Sequence, residues 1–377
     1  MQETTALTEA ELDAETQKTL RSFRTSRIIL PIVLGILAVG YLFYRQFNVE
    51  QFREIHWSWR AFGWIGIAFL LLVARHLFYA FRLRTLTGGY FSWRKCIQLI
   101  ILWEFSAAIT PTSKGGPLVM MFVLTKEKLA AGRTAAAVIY AMVLDSGFFV
   151  LTLPLWLALY GPPMLYPGMH TFNDLSLANV AFFATYSIML VYWVVLIFFL
   201  FVKPHYAEGA LDWLARRRFL KKLAPNLHRI GEEFGRAADD MKEQDWRYHL
   251  RVIIGTVGAW TCKFIMINCL IIAIVPSTPV DGATQAFIYA RLVAMFIVMA
   301  FSPTTGGAGL AEMALVDFTS DYGPRGIGLV VALLWRGMAY YGYLLLGAIV
   351  VPGWVATHIG KKAIPEKKSR TKKQIAS

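Results

Sequence analysis

Charge is scarce in this chain. Asp, Glu, Lys and Arg together make up 16% of its 377 residues, against about a quarter in soluble globular domains. With 56% of the residues hydrophobic, there are too few solvated side chains to cover a water-facing surface, and long uncharged runs point to a bilayer as solvent. Cysteine is also rare. Cys96, Cys262 and Cys269 fit neither a disulfide framework nor a zinc site, and read as small buried hydrophobes. Histidine is thin within the apolar runs, with His76 the clearest case, and no paired-carboxylate motif accompanies it. That argues against a metal-dependent intramembrane enzyme, and no metal or cofactor is expected. A net charge of +14 raises nucleic acid as a partner, but no basic-aromatic module is present to bind it. Residues 1–27 are polar, and no small-residue cleavage site follows the first apolar run. An uncleaved start anchor is expected there, with 1–27 as a cytoplasmic N-terminal segment.

A hydrocarbon core of roughly 30 Å needs about 20 apolar residues in a helix. Six runs meet that demand: 28–44 with its flanks, 61–81, 134–160, 179–202, 250–275 and 326–352. Two others fall short. Residues 97–109 stop at Thr110-Pro111 and 285–301 stop at Ser302-Pro303; each meets a Gly-rich turn and then a second short apolar run, 117–125 or 308–318.

Basic residues orient these segments. Arg82, Arg84, Arg94 and Lys95 place 82–95 inside, and Lys126, Lys128 and Arg133 place 126–133 inside. The stretches 161–178 and 276–284 carry no Lys or Arg. The linker 203–249 and the tail 356–377 are strongly basic. Only 45–60, expected outside, runs against the rule with Arg45, Arg53 and Arg60. The pattern predicts an all-α polytopic membrane protein with both termini cytoplasmic. It has six full transmembrane helices plus two re-entrant helical hairpins, 96–125 entering from the cytoplasm and 285–320 from outside. The setting is a bacterial inner (plasma) membrane.

The hairpin tips resemble each other. Thr110-Pro111-Thr112-Ser113-Lys114-Gly115-Gly116 aligns with Ser302-Pro303-Thr304-Thr305-Gly306-Gly307, with Lys114 inserted. The offset of the glycines also carries Asp145 onto Arg336. Residues 61–160 and 250–352 thus read as an inverted-topology repeat within a domain spanning 28–355, joined by an amphipathic linker, 203–249. In that linker Leu223, Leu227, Ile230, Phe234 and Met241 recur at helical spacing opposite Arg216, Arg217, Arg218, Lys221 and Lys222. The expectation is an elbow helix lying on the inner leaflet.

Paired interrupted segments are the sequence pointer to a midplane transport site. Ser113 and Thr305 are candidate N-caps, Pro117 suits a first helical turn, and free N–H groups at a helix start favour anions. Either the tips bind an anionic headgroup, aided by Lys114, or they are polar turns closed by their own hydrogen bonds. Charges within the apolar segments are costly and mark function. Asp145 and Arg336 are expected to form an ion pair or a shared polar site, either static or opened by substrate. Glu312 is a candidate holder of a cation or proton. Glu104 and Arg291 are candidate coupling or packing charges, and Arg75 and Lys263 are expected to snorkel or pair locally.

The tip motifs, the stretch to Arg133 and Asp145, and Ser302-Pro-Thr-Thr-Gly-Gly-Ala-Gly-Leu-Ala-Glu312 resemble the flippase-like transmembrane domain of the lysylphosphatidylglycerol synthase family, in its stand-alone form. The resemblance covers roughly 28–355. It implies transbilayer movement of a phospholipid or of a polyprenyl or aminoacyl lipid, and maps a Gly-Gly-x-Gly-x-x-Glu pattern onto Gly306, Gly307, Gly309 and Glu312. The family's usual basic residue before that Glu is Ala311 here, which puts an identical substrate in doubt. The aminoacyltransferase domain is lacking, so lysyl transfer is not expected. Membrane lipids are the expected partners, a homodimer stays open, and the competing readings are a lipid phosphatase or transferase and a membrane scaffold.

Overall fold

The computed structural model describes residues 57–110, 115–169, 171, 177–207, 209, 224–300, 302, 304–307, 309–323 and 325–358. Every long regular element among them is a helix: α1 Trp59–Leu86, α2 Trp93–Ile109, α3 Gly115–Lys126, α4 Ala131–Tyr160, α5 Leu177–Ile197, α6 Ala224–Lys242, α7 Trp246–Ile274, α8 Gly282–Met299, α9 Leu310–Phe318, α10 Arg325–Arg336 and α11 Gly342–His358. A π-turn, Gly337–Tyr341, carries α10 into α11. The order is long helix, two shorter helices around a tip, long helix, and it occurs twice. The elements α5 and α6 lie between the two sets.

Short polar residues start the helices. Ser58, Ser92, Asp245 and Asp281 each accept the backbone N–H three residues on, at 3.3, 3.3, 2.9 and 2.9 Å, satisfying donors that a helix start leaves open. Asp281 takes α8 back to Gly282, so the helix has 18 residues, about 27 Å at ~1.5 Å per residue. The sequence reading began this segment at 285 and took it for too short. By length and composition it joins Trp59–Leu86, Ala131–Tyr160, Val180–Val202, Trp246–Ile274 and Gly326–Val355 among six candidate spans. The expected span 28–44 lies outside the described residues, as do the tail 359–377 and the basic run 210–223.

Small residues let the two halves close on one another. The longest seam joins α1 to α7. A Cβ on Gly255 would lie 2.9 Å from Arg82 Cβ and 3.2 Å from the Phe78 carbonyl, and one on Gly258 would meet the Phe78 ring. Helices associating in lipid gain little from apolar burial, so close backbone approach and packing must supply the contact. The main core then fills with interlocked aromatics, Phe148, Phe149, Trp260, Phe264 and Phe296, whose ring centroids lie 4.6–6.3 Å apart. All three cysteines are buried and unpaired.

The amphipathic elbow behaves differently from the expectation. Phe234, Ala237, Ala238 and Met241 of α6 are buried in one cluster with Ala136, Ala137, Tyr140 and Ala141 of α4. Gly132 N–H donates to Glu233 Oε2 at 3.1 Å. From Phe234 to Met241 the apolar stripe is therefore covered by protein, because the alanine-rich start of α4 offers it a close-fitting surface. Leu223 and the arginines 216–218 lie outside the described residues.

Candidate functional site

Helix midpoints are the costliest places for charge in a bilayer, and α1, α4 and α7 each carry one charged residue there. Asp145 is at the centre of Ala131–Tyr160, Lys263 lies near that of Trp246–Ile274, and Arg75 near that of Trp59–Leu86. They line one cavity of about 380 Å³, together with Glu104, Arg336, Pro117 and, from the second tip, Ser302, Gly306 and Gly307. Its walls are aromatic, with Tyr79, Trp103, Phe149, Trp260, Phe296 and Trp335 among them. A cavity of apolar walls with a few convergent polar groups is the ordinary form of a ligand site.

Each carboxylate there has its own cation. Arg82 donates to both oxygens of Asp145, at 2.6 and 3.1 Å, and to Thr256 Oγ1 at 3.2 Å. Trp260 Nε1–H adds a third bond to Asp145 at 3.0 Å. Arg75 donates to Glu104 at 2.7 Å and to Tyr343 Oη at 3.4 Å. Tyr343 Oη also meets His76 Nδ1 at 3.0 Å, while His76 Nε2 faces the Ile97 carbonyl at 3.1 Å. The carbonyl only accepts, so the proton belongs on Nε2 and Tyr343 donates to Nδ1. Arg336 lies 2.8 Å from Glu312 and donates to the Gly306 carbonyl at 2.9 Å.

These partners rule out the ion pair expected of Asp145 and Arg336 and leave the alternative, a shared polar site. They line the same cavity but pair with Arg82 and Glu312 respectively, because each has a counter-charge on a helix packed more closely to it. The sequence reading assigned Arg82 to a loop; α1 instead runs on to Leu86, and Arg82 is 4% exposed. A buried arginine one turn from a helix end is hard to tell from a loop residue by charge alone. Nor does Arg75 snorkel: it is 4% exposed and points into the cavity network. Lys263 also stays inside, its Nζ lying 4.6 Å from the Trp260 ring centroid and 4.2 Å from that of Phe296.

The second tip has its own logic. Gly306, Gly307 and Gly309 all have positive φ, at +57°, +71° and +83°, a region that costs side-chain-bearing residues about 1 kcal/mol or more. A Cβ on Gly306 would also fall into the Tyr340 ring. Thr305 sits in a short 3-10 turn with the two following glycines, and the N-cap of α9 is Gly309 rather than Thr305. Glu312 reaches back to the Gly309 N–H at 2.8 Å while holding Arg336. With 0% exposure and two partners, Glu312 is committed to this joint. Ser302 Oγ and Thr304 Oγ1 lie 2.9 Å apart.

The second tip adjoins the descending arm of the first hairpin. The turn Thr305–Gly307 contacts α2, and Tyr340 Oη donates to the Ala108 carbonyl at 3.3 Å. Gly116 fits against Ala107, where a Cβ would lie 3.2 Å from the Ala107 Cα. Thr110 Oγ1 turns back to the Ser106 carbonyl at 2.8 Å. Pro111, Thr112, Ser113, Lys114 and Pro303 lie outside the described residues. Arg291 belongs elsewhere. It ties Asp321, the Pro163 carbonyl and the Phe318 carbonyl together at 2.7, 2.9 and 3.4 Å, well away from the cavity lining. Among the described residues no three His, Cys, Asp or Glu side chains gather as a metal-binding group.

Fold and site define a polytopic helical membrane protein with an ion-paired cavity at mid-span. Its sequence carries the matter further. The chain belongs to the lysylphosphatidylglycerol synthase transmembrane-region family, whose model matches residues 28–347, so a membrane lipid-related function follows. It is similar to a UPF0104 membrane protein of Archaeoglobus fulgidus, 26% identical over 300 residues, or 76% of this chain and 84% of that protein. No solved structure matches.

Proposed function

We propose that this chain moves a lipid between the leaflets of the membrane, passing its headgroup through the cavity while the acyl chains stay in the bilayer. The observation that carries the reading is the gathering of Arg75, Glu104, Asp145, Lys263 and Arg336 around one cavity lined by the second hairpin tip and by Ala107, Ala108 and Pro117 of the first hairpin's arms. A scaffold has no need of so many buried charges, each costing about 2.5–3.5 kcal/mol at a helix centre before pairing. A headgroup crossing the bilayer needs the solvation that such charges replace.

On this reading residues 61–160 and 250–352 are inverted repeats, and the hairpins enter from opposite faces of a bacterial inner membrane with both termini cytoplasmic. The contact of the Thr305–Gly307 turn with α2 and the twice-repeated element order support it. Transport follows when an incoming headgroup competes for Arg336 or Asp145 and the two halves rock about the α1–α7 seam.

Reconstitution into liposomes with a leaflet-specific fluorescent lipid tests this. Wild-type protein is expected to speed exchange well above empty vesicles, and Arg336→Ala and Asp145→Ala to abolish most of that gain at equal incorporation. Unchanged rates in both variants would overturn the site, and rates equal to empty vesicles for the wild type would overturn transport. A change in lipid mass on incubation would instead identify a lipid-modifying enzyme.

A further inference from the structure

Among the described residues, three of the four cations in or beside the cavity are neutralised within the protein: Arg75 by Glu104, Arg82 by Asp145 and Arg336 by Glu312. The fourth, Lys263, makes no ion pair or hydrogen bond among the described residues. Its ammonium rests instead between the faces of Trp260 and Phe296. An aromatic cage lowers the cost of keeping a cation there but supplies no acceptor.

A second group is short of acceptors. Arg336 is 5% exposed, yet among the described residues its Nη2 has no hydrogen-bond partner, and its Nε meets Glu312 as a charge contact rather than an aligned hydrogen bond. Buried donors without acceptors are costly and are best relieved by a ligand that brings oxygens. Trp260 holds the arrangement in place, fixed by its indole N–H on Asp145 while its ring face carries Lys263.

We infer that this cavity takes a net-negative phosphate ester, with Lys263 as its principal counter-charge and Arg336 as a second donor. The inference rests on the transport reading and names its cargo as a lipid with an anionic headgroup. A lysylated headgroup, bearing net positive charge, would meet an unneutralised ammonium and find no spare carboxylate among the described residues, where Glu104, Asp145 and Glu312 are already paired. The family's name alone points the other way.

The test is native mass spectrometry of the purified full chain in detergent, offered phosphatidylglycerol, phosphatidylethanolamine, lysylated phosphatidylglycerol or glycerol 3-phosphate. Phosphatidylglycerol is expected to bind about tenfold or more tighter than either other lipid, the scale of one charge-assisted hydrogen bond. Lys263→Gln should erase that preference, and Lys263→Arg should keep most of it. Equal or tighter binding of the lysylated lipid, or an intact preference in Lys263→Gln, overturns the inference. Binding of glycerol 3-phosphate as tight as the lipid's would assign the site to a soluble phosphate ester and overturn the lipid cargo. If Lys263→Gln does not fold, the wild-type ranking of the three lipids decides alone. Transport without anionic preference would sink this inference and leave transport standing; anionic binding without transport would do the reverse.

Discussion

Arg82 and Asp145 show how one buried pair constrains everything near it. Two parallel N–H···O bonds hold the carboxylate, a geometry that a lysine does not reproduce. Asp145→Asn strands Arg82 in a buried site, and Arg82→Gln strands Asp145 beside Trp260. Each single change is expected to destabilise by roughly 3–5 kcal/mol, with the double variant recovering a large part, since removing both charges also removes the desolvation cost. Unfolding midpoints in detergent across the double-mutant cycle check this; strictly additive losses would refute the coupling. The second tip allows a finer comparison. Gly306→Ala meets both a positive φ and the Tyr340 ring, whereas Gly309→Ala meets a positive φ with open space beyond it. Both should destabilise, Gly309→Ala by about 1 kcal/mol and Gly306→Ala by about 1–3 kcal/mol. The reverse order in the same unfolding assay would show that the ring gives way freely.

Helices were more legible in the sequence than their partners. Long apolar runs marked α1, α4, α5, α7 and the α10–α11 pair closely, and the caps Ser58 and Asp245 explain the few residues gained at the starts of α1 and α7. What misled was the docking of α6. Its stripe of Phe234 and Met241 looks the same whether lipid or protein covers it, and only the alanine-rich face of α4 decides between them. At Gly132 an added Cβ would collide with the Glu233 backbone, which cannot turn aside as a flexible side chain would. Gly132→Ala is therefore expected to loosen α6 from α4. Amide hydrogen exchange across Ala224–Lys242 should rise by tenfold or so, matching about 1.4 kcal/mol of lost local stability. Unaltered exchange there would mean that α6 is held by other contacts.

Across the whole molecule, the proposed inversion of the two halves sets which loops share a face. The native cysteines are buried, so single cysteines placed at the surface give a low-background readout. Lys128→Cys and Lys242→Cys are expected to react with a membrane-impermeant maleimide from one side, and Asp281→Cys and Gly161→Cys from the other. Labelling of Lys128→Cys and Asp281→Cys from the same face would remove the inverted repeat. Asp281 caps α8 through the Thr284 N–H, a bond that holds its carboxylate below the usual range. A lowered folded-state pKa contributes stability at neutral pH that fades as pH falls through that lowered value; Asp281→Cys removes this cap, so its labelling is compared with that of Gly161→Cys.

By itself the sequence determined that the chain spans a membrane, which segments are helical and which charges are expensive. Hydrocarbon imposes a length and an absence of charge on each segment separately, and both are properties of consecutive residues. It also picked out Gly306, Gly307 and Gly309, because a tight reversal of the chain favours residues without a Cβ. Which carboxylate answers which cation was decided only by tertiary packing. Arg82, Asp145, Trp260 and Lys263 come from three helices, and their order depends on how Gly255 and Gly258 let α1 and α7 approach. A pairwise attraction falls off over a few ångströms, so a shift of one helical turn exchanges its partners while leaving every apolar run unchanged.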